Sequence, residues 1–297
     1  MARPQRTQRI GFIGLGMMGT PMVQCLAKAG FDVFVADTDD ARVAALCAGE
    51  RVLPLHADDA ASLDVLITML PNSTIVERVL LGDKDGWSTR LSRGTTVIDM
   101  SSSEPARSRA LAATLGEAGL DYLDAPVSGG VKKAIDGSLA ILVGGDATVL
   151  ERARPVLDAM GKSVLHIGAA GAGHAAKALN NYVSAAGLVA TVEALQVARR
   201  FGIDPAVMTD VLNASTGRSN TSENKVHQFM LSGTFASGFA LQLMNKDLKI
   251  ARALAVALDY PMELGETCTS MWERAAQRST PTTDHTEMYR LLSGKAS

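Results

Sequence analysis

A glycine-rich turn that immediately follows the first apolar run constrains the fold of this chain more than any other feature. The run Arg9–Ile13 leads straight into Gly14, Gly16 and Gly19, which have the spacing G-x-G-x-x-G. In a β–α–β unit these glycines allow a tight turn, let the backbone approach a pyrophosphate and let the next helix pack closely on the strand. The second apolar run ends at Asp37, where a carboxylate can accept hydrogen bonds from ribose hydroxyls. The sequence therefore predicts a nicotinamide or flavin dinucleotide site.

The composition argues against several other kinds of site. The chain of 297 residues is 47% hydrophobic and 20% charged, and its net charge of −2 gives it no basic surface for nucleic acid or anionic membrane. The five histidines lie far apart, without the spacing of a metal site. Residues 1–8 lack the apolar segment of a signal peptide, and no apolar run approaches the roughly 20 residues of a membrane span. We expect a cytoplasmic protein without a metal.

Short β-rich runs alternate with amphipathic helical stretches up to Gly168, and beyond it the patterns are helical only. Strictly alternating strands and helices predict a doubly wound parallel sheet. One run, Val65–Leu70, is nearly all apolar, as in a central strand covered on both faces. We predict an α/β fold in which residues 1–168 form a Rossmann-type dinucleotide-binding domain. Residues 169–297 form an all-α domain for substrate and oligomerisation, joined to the first by a long helix over 174–200.

The segment Asp124–Gly130 follows a predicted strand, and ligands bind at the ends of strands in doubly wound folds. Ser128 supplies a hydroxyl, and Gly129 and Gly130 expose backbone amides beside it, a combination that suits a carboxylate. An ordinary turn of the type P-x-S-G-G is the alternative interpretation. The hydroxyl and the two amides make this segment a candidate substrate site.

Two polar side chains share one face of the predicted long helix. Lys177 and Asn181 are four residues apart, which places them about 6 Å from each other on a helix. Their neighbours are apolar, and desolvation or a nearby cationic nicotinamide lowers a lysine pKa toward that of a general acid/base. The alternative is a lysine that reaches solvent or forms a salt bridge. His174, one turn earlier, is a competing base, but a capping or surface histidine is the favoured interpretation.

The last polar segment lies at the predicted start of a C-terminal helix, Asn245–Leu258. Lys246 fits an exposed lysine, and Asp247 in the first turn fits simple complementation of the helix dipole. From the residues alone, this segment has no predicted role in chemistry.

Taken together, these segments resemble the β-hydroxyacid dehydrogenase family, which includes 3-hydroxyisobutyrate dehydrogenase, tartronate semialdehyde reductase and 2-(hydroxymethyl)glutarate dehydrogenase. The resemblance covers nearly the whole chain and is carried, in order, by Phe12–Met22, Met69–Ser73, Asp99–Ser102, Asp124–Gly130, Gly171–Asn181 and Lys246–Leu248. It implies that Lys177 is the catalytic acid/base and that Asn181 helps it to hold the substrate. It also implies that the substrate carboxylate binds at Ser128, Gly129 and Gly130, with Lys246 near the substrate and the nicotinamide.

The resemblance assigns further residues to the cofactor and to partners. The positions implied to line the dinucleotide are Gly14, Leu15, Gly16, Met17, Met18, Gly19, Asp37, Leu70, Pro71, Ser102 and Lys246. It implies a homodimer or homotetramer, and C-terminal helix faces rich in Ala, Leu and Met suit packing between subunits. The segment 215–219 looks closest to members whose substrates carry a second acidic group. Arg218, or Lys132 and Lys133, are the candidates to bind that group.

NAD is the expected cofactor, because Asp37 stands where the 2′-phosphate of NADP must go and the two negative charges repel each other. We expect hydride transfer between the nicotinamide and a small β-hydroxy acid, or the semialdehyde in reverse, with Lys177 taking the hydroxyl proton. An imine reductase is one alternative, although those enzymes typically lack a lysine at the position of Lys177. A dinucleotide-binding regulator without turnover is the other, but it has no need for the pair formed by Lys177 and Asn181.

Overall fold

The computed structural model describes residues 8–82 and 86–293. Apart from Gln8, the N-terminal stretch predicted not to be a signal peptide lies outside these residues. Two compact units make up the chain, one ending at Lys177 and the other beginning at Ala178. The predicted division between residues 168 and 169 stays a prediction, because the two units part within one continuous helix, Ala172–Phe201.

The first unit is built on a single sheet. Its described strands are β1 (Arg9–Ile13), β2 (Asp32–Ala36), β3 (Val52–Pro54), β4 (Val65–Thr68), β5 (Thr96–Asp99), β6 (Asp121–Asp124), β7 (Val127–Ser128), β8 (Leu139–Gly145) and β9 (Gly161–Gly168). They lie in the order β3-β2-β1-β4-β5-β6-β8-β7, and β9 pairs with β8. The pairs among β1 to β6 are all parallel. This order confirms the predicted doubly wound arrangement.

Helices cover both faces of the sheet. They are α1 (Gly19–Lys28), α2 (Asp40–Cys47), α3 (Ser73–Leu81), α4 (Pro105–Glu117), α5 (Gly130–Ile135) and α6 (Ala147–Asp158), and α7 (Ala172–Phe201) begins in this unit. Because side chains alternate along a strand, each strand feeds two cores. Val65 and Ile67 of β4 pack with Ile10 and Phe12 in one core, and Leu66 packs in the other. Every residue of β4 is buried, which confirms the predicted central strand.

The sheet departs from the all-parallel prediction at one end. Strand β8 runs antiparallel to both β6 and β7, whereas β9 returns to a parallel pairing with β8 after α6. The cause is the short connection over residues 129–138, because a parallel pairing needs a crossover of roughly a dozen residues or more. Strands β3 and β7 were not predicted, since runs of three and two residues are too short to show a pattern.

The regular elements in the described part of the second unit are helices, which confirms the predicted all-α character. After the remainder of α7 it contains α8 (Pro205–Ala214), α9 (Asn220–Asn224), a π-helical segment (Val226–Leu231), α10 (Leu241–Ala257), α11 (Glu263–Gln277) and the short α12 (Met288–Leu291). Its core gathers around the fully buried Trp272, with Leu188, Val192 and Met244. No helix in the described ranges is long and apolar enough to span a membrane.

Two predicted helix starts in this unit had different outcomes. Asp204 accepts a hydrogen bond from the backbone N–H of Ala206 and Pro205 is the first helical residue of α8, as predicted. The predicted start at Asn245 is wrong, because α10 begins at Leu241. Asp247 therefore lies in the second turn, where the helix dipole no longer explains a carboxylate.

Candidate active site

The glycine-rich turn joins β1 to α1 and has the shape that a dinucleotide needs. Gly14 has φ of +104°, a conformation that favours glycine, and a Cβ there would collide with the backbone oxygen of Met69. A Cβ at Gly19 would collide with the oxygen of Gly14, so the helix packs directly on the turn. A Cβ at Gly16 would meet nothing within 4 Å. Open space at Gly16 leaves the backbone there accessible to a phosphate.

Asp37 follows β2 and is tied to the same turn. Its Oδ2 accepts the backbone N–H of Leu15 at 2.6 Å, and its Oδ1 accepts that of Asp39 at 2.9 Å. Leu15 is buried, whereas Met17 beside it is 73% exposed. The carboxylate is thus held at the carboxyl edge of the parallel strands, next to the turn, where ribose hydroxyls bind in this type of fold.

The loops after β4 and β5 lie at this edge as well. The backbone N–H of Leu70 donates to Ser101 Oγ at 2.9 Å, which links the two loops, and the Leu70 side chain reaches Gly14. Pro71 is exposed, and Ser102 is half-buried. The predicted cofactor residues of the first unit therefore gather at one edge of the sheet, and their arrangement fits a dinucleotide.

Lys177 lies on the second turn of α7 and is only 9% exposed. Its Nζ donates a hydrogen bond of 2.7 Å to the backbone oxygen of Val127. Val127 immediately precedes Ser128, so the ammonium lies beside the segment predicted to bind a carboxylate. Gly129 and Gly130 have φ of +130° and +69°, values that favour glycine and turn the backbone sharply after β7. The structure thus brings two separately predicted segments together.

Asp124, at the end of β6, fixes where α7 begins. Its buried carboxylate accepts the backbone N–H of Gly171 at 2.7 Å and of His174 at 2.8 Å. A negative charge stabilises the N-terminus of a helix, and these bonds also satisfy backbone donors that lack partners within the helix. Because Lys177 lies one turn further on, Asp124 sets the position from which the lysine extends.

The predicted environment of His174, the competing candidate for a base, was wrong. It was expected to cap a helix or lie on the surface, but it is 1% exposed. Its Nε2 lies 3.1 Å from the backbone oxygen of Ser101, and its Nδ1 lies 2.8 Å from Ser108 Oγ. Because a carbonyl oxygen only accepts, Nε2 carries a proton. The ring therefore anchors the first turn of α7 to α4 and to the loop after β5.

The second unit contains a polar row on α7 and α10. Asn181 Nδ2 donates to Asp247 Oδ2 at 2.6 Å, and the ammonium of Lys246 lies 3.7 Å from Asp247 Oδ1. Asn181 and Asp247 are both buried, whereas Lys246 is half-buried. Asp247 therefore orients the amide of Asn181 and holds a cation beside it.

Comparisons with known proteins cover the whole of this architecture. Residues 9–168 match the NAD binding domain of 6-phosphogluconate dehydrogenase, and residues 171–292 match the family described as NAD-binding of NADP-dependent 3-hydroxyisobutyrate dehydrogenase. The 2-(hydroxymethyl)glutarate dehydrogenase of Eubacterium barkeri is 39% identical over 91% of this chain and 89% of its own length. The 2-hydroxy-3-oxopropionate reductase of Escherichia coli K12 is 35% identical over 96% of this chain and 97% of its own.

A solved structure agrees with these relatives. The 3-hydroxyisobutyrate dehydrogenase of Mycobacterium tuberculosis, in a structure with L-serine, superposes with a TM-score of 0.89 at 34% identity, over 97% of this chain and 99% of that one. The chain belongs to the β-hydroxyacid dehydrogenase family. It is an NAD-dependent oxidoreductase that acts on a CH–OH group.

The sequence analysis missed two carboxylates that contact candidate site residues. Asp124 was noted only as the start of a segment, and Asp247 was explained by a helix dipole. A signal was present for Asp124, because a carboxylate after the apolar pair Tyr122 and Leu123 on a buried strand needs partners. For Asp247 the signal was the apolar stretch that begins at Leu241. This stretch extends the helix by one turn toward its N-terminus, so that Asp247 no longer lies in the first turn.

The cations predicted to bind a second acidic group differ in their ion pairing and in the unit to which they belong. Arg218 pairs with Glu223 at 2.6 Å, and the Arg218 side chain is largely exposed. Lys132 and Lys133 are exposed on α5 of the first unit. Within residues 8–82 and 86–293, no group of three or more His, Cys, Asp and Glu side chains is arranged to hold a metal ion.

Proposed function

We propose that this enzyme oxidises the hydroxymethyl group of a small β-hydroxy acid with NAD, or reduces the corresponding semialdehyde, and that Lys177 is its general acid/base. The observation that carries the proposal is the 2.7 Å bond from Lys177 Nζ to the oxygen of Val127, beside Ser128. A buried lysine next to a hydroxyl and two glycine amides can hold a carboxylate and exchange a proton one or two carbons away.

In the direction of oxidation, the neutral amine of Lys177 accepts the hydroxyl proton while the carbinol C–H bond breaks. The alcohol loses a proton and a hydride and becomes an aldehyde, so the atoms balance. When bound, NAD supplies the acceptor for the hydride. The hydroxyl of Ser128 and the amides of Gly129 and Gly130 hold the carboxylate, so the hydroxyl faces the lysine. In reduction, the Lys177 ammonium returns the proton to the carbonyl oxygen.

Asn181 and Lys246 have supporting roles in this proposal. Asp247 Oδ2 accepts a hydrogen bond from Asn181 Nδ2, which directs the amide oxygen of Asn181 away from Asp247. An amide held in one orientation can position a substrate hydroxyl without transferring a proton. Lys246 places a positive charge beside this row, which favours an anionic substrate.

Two other functions remain as alternatives. An imine reductase typically lacks a lysine at the position of Lys177, and a regulator without turnover has no need for the buried Lys177 and Asn181. We expect the enzyme to turn over 3-hydroxyisobutyrate, L-serine or 2-(hydroxymethyl)glutarate, which is measured by the absorbance of NADH. We expect no turnover of a cyclic imine. Turnover of the imine alone supports a reductase of imines, and the absence of any turnover supports the regulator.

The mechanism is tested by replacing the lysine. We expect Lys177→Ala to lower kcat about 10²–10⁴-fold while the Kd of NADH, measured by fluorescence titration, stays within about threefold. Lys177→Arg does not restore the rate, because an arginine stays protonated and cannot act as a base. Asn181→Ala should lower kcat less than Lys177→Ala does. Near-normal turnover of Lys177→Ala at saturating substrate would assign proton transfer to bound water instead.

We also propose a homodimer or homotetramer that forms through the second unit. An apolar groove of about 670 Å³ lies between α7, α10 and the start of α11. Leu258, Tyr260 and Leu264 line it and are 66%, 68% and 64% exposed. Large side chains of this kind, grouped on a single surface, are typical of contacts between subunits. A cytoplasmic location stays a prediction.

A further inference from the structure

His174 is a buried titratable side chain that the proposed reaction does not use. It lies in the first turn of α7, three residues before Lys177, and its side chain is fully buried. Both ring nitrogens have a partner, since Nε2 lies 3.1 Å from the backbone oxygen of Ser101 and Nδ1 lies 2.8 Å from Ser108 Oγ. These contacts on opposite sides of the ring keep it from turning.

The Nε2 side of the ring holds the loop that follows β5. Asp99, at the end of β5, shapes this loop, because its carboxylate accepts the backbone N–H of Ser101 at 3.1 Å and the hydroxyl of Ser103 at 2.8 Å. The Ser101 hydroxyl in turn accepts the backbone N–H of Leu70 at 2.9 Å. The imidazole is therefore bonded to a loop that carries Ser102 and holds Leu70, two of the residues predicted to line the dinucleotide.

The Nδ1 side of the ring is bonded to α4. Ser108 lies near the start of that helix and is only 2% exposed, so water cannot take its place beside Nδ1. A buried polar group that loses its partner costs more than one that never had a polar neighbour. The contact with Ser108 therefore stabilises the ring in its present orientation.

Two carboxylates flank the imidazole. Asp99 Oδ2 lies 3.9 Å from Nε2, and Asp124 Oδ2 lies 3.7 Å from Nδ1. Asp99 organises the loop after β5, whereas Asp124 accepts backbone N–H groups from the first turn of α7. The ring of His174 is thus a direct polar link between two segments that are each fixed by a carboxylate. One segment leads to the predicted cofactor residues, and the other leads to Lys177.

We propose that His174 is a positioning residue that aligns Lys177 with the loop after β5, so that the general acid/base keeps its place relative to a bound dinucleotide. This inference rests on the proposed function, because it concerns the lysine assigned to proton transfer. His174 transfers no proton in the reaction. Its bonds hold the first turn of α7, and a displacement of about 1 Å at a reacting group lowers a rate about 100-fold.

A double-mutant cycle separates positioning from a general loss of structure. His174→Leu removes both hydrogen bonds with little change in size, and it should lower kcat about 10–100-fold while the KM of the hydroxy acid stays within threefold. In the Lys177→Ala background the same substitution should change kcat less than twofold, because His174 acts through the lysine. His174→Gln, which offers an N–H to the Ser101 oxygen, should retain at least a third of the wild-type kcat.

Binding of NADH, measured by fluorescence titration, tests the other end of the link. We expect the Kd of NADH to rise about 3–10-fold in His174→Leu, because the loop after β5 loses one hydrogen bond at Ser101. This rise should persist in the Lys177→Ala background, where the effect on kcat disappears. A side chain with a purely structural role would not divide its effects in this way.

His166 provides the matched control. Its Nε2 also lies beside a backbone oxygen, that of Gly145 at 2.9 Å, but it belongs to β9. His166→Leu should leave kcat and the Kd of NADH within twofold of the wild type. Urea denaturation of each variant establishes that folded enzyme is assayed. If His174→Leu does not fold, Ser108→Ala carries the test, because it deletes a single oxygen atom and should lower kcat at least threefold when Lys177 is present.

Three outcomes would overturn the inference. They are a kcat or a Kd of NADH within twofold of the wild type in His174→Leu, a loss of kcat that is equally large in the Lys177→Ala background, and an equal loss in His166→Leu. For Ser108→Ala, an unchanged kcat has the same meaning. Near-normal turnover of Lys177→Ala would instead refute the proposed function of that lysine.

Discussion

At the scale of a single residue, we predict that Asp37 determines the choice between NAD and NADP. Its two carboxylate oxygens already accept from Leu15 and Asp39, so the charge is fixed beside the glycine-rich turn. Two unit charges about 4 Å apart repel by about 1 kcal/mol in water and about 4 kcal/mol near a protein surface. We expect kcat/KM to favour NAD over NADP by at least tenfold, and Asp37→Ser to narrow that preference. Steady-state assays in which NADP is preferred more than tenfold would contradict the assignment.

Lys225 predicts a pH dependence of stability at the same scale. Burial lowers its pKa to about 8 in the folded enzyme, from an ordinary value of 10.5. Between these values the unfolded chain binds a proton that the folded chain does not, so stability rises with pH. Relative to Lys225→Met, the wild-type free energy of unfolding should therefore increase from pH 8 to pH 10. Lys249→Met, which removes a lysine paired with Glu273, should show the same change in the free energy of unfolding as the wild type. Urea denaturation at both pH values measures this, and parallel behaviour of Lys225→Met and the wild type would disprove it.

Two glycines of α7, one near its start and one in its middle, differ in the space around them. A Cβ at Gly173 would collide with the backbone oxygen of Leu142 and lie 2.9 Å from Asp124 Oδ2. A Cβ at Gly187, in the same helix, would meet nothing within 4 Å. There is therefore no room for a side chain at Gly173, whereas there is room at Gly187.

This contrast gives a matched pair of substitutions. We expect Gly173→Ala to destabilise the protein by about 1–3 kcal/mol through overpacking, and to lower kcat because Lys177 moves with the first turn of α7. Gly187→Ala should stabilise it by about 0.5–1 kcal/mol, because alanine loses less backbone entropy in a helix. Urea denaturation reports both changes, and equal effects of the two substitutions would show that the packing of the first turn does not control stability.

At the scale of the whole molecule, the apolar groove of the second unit predicts self-association. Light scattering of the wild-type enzyme should give a mass at least twice the 31.2 kDa of one chain. The double substitution Tyr260→Glu and Leu264→Glu should shift it toward the monomer, because it places charges in a desolvated contact. Val207→Glu on α8, also exposed but outside the groove, is the control. A wild-type mass near that of one chain would refute the oligomer.

The sequence by itself determined those features in which the determining residues are neighbours along the chain. The turn around Gly14, Gly16 and Gly19, the alternation that gives a doubly wound sheet, and the cap of α8 all depend on spacings of a few residues. The same holds for Lys177 and Asn181, because helical periodicity alone places them on one face. These features depend on residues that are close in sequence, so they could be predicted from the sequence.

Only the tertiary structure decided which distant groups meet. Asp124 reaches Gly171 and His174 across about 50 positions, and Asn181 reaches Asp247 across 66. No periodicity links such pairs, because their contact depends on the packing of whole strands and helices. For the same reason the burial of His174 and its contacts could not be predicted. The sequence thus indicated which groups are candidates for the chemistry, and the fold decided what positions them.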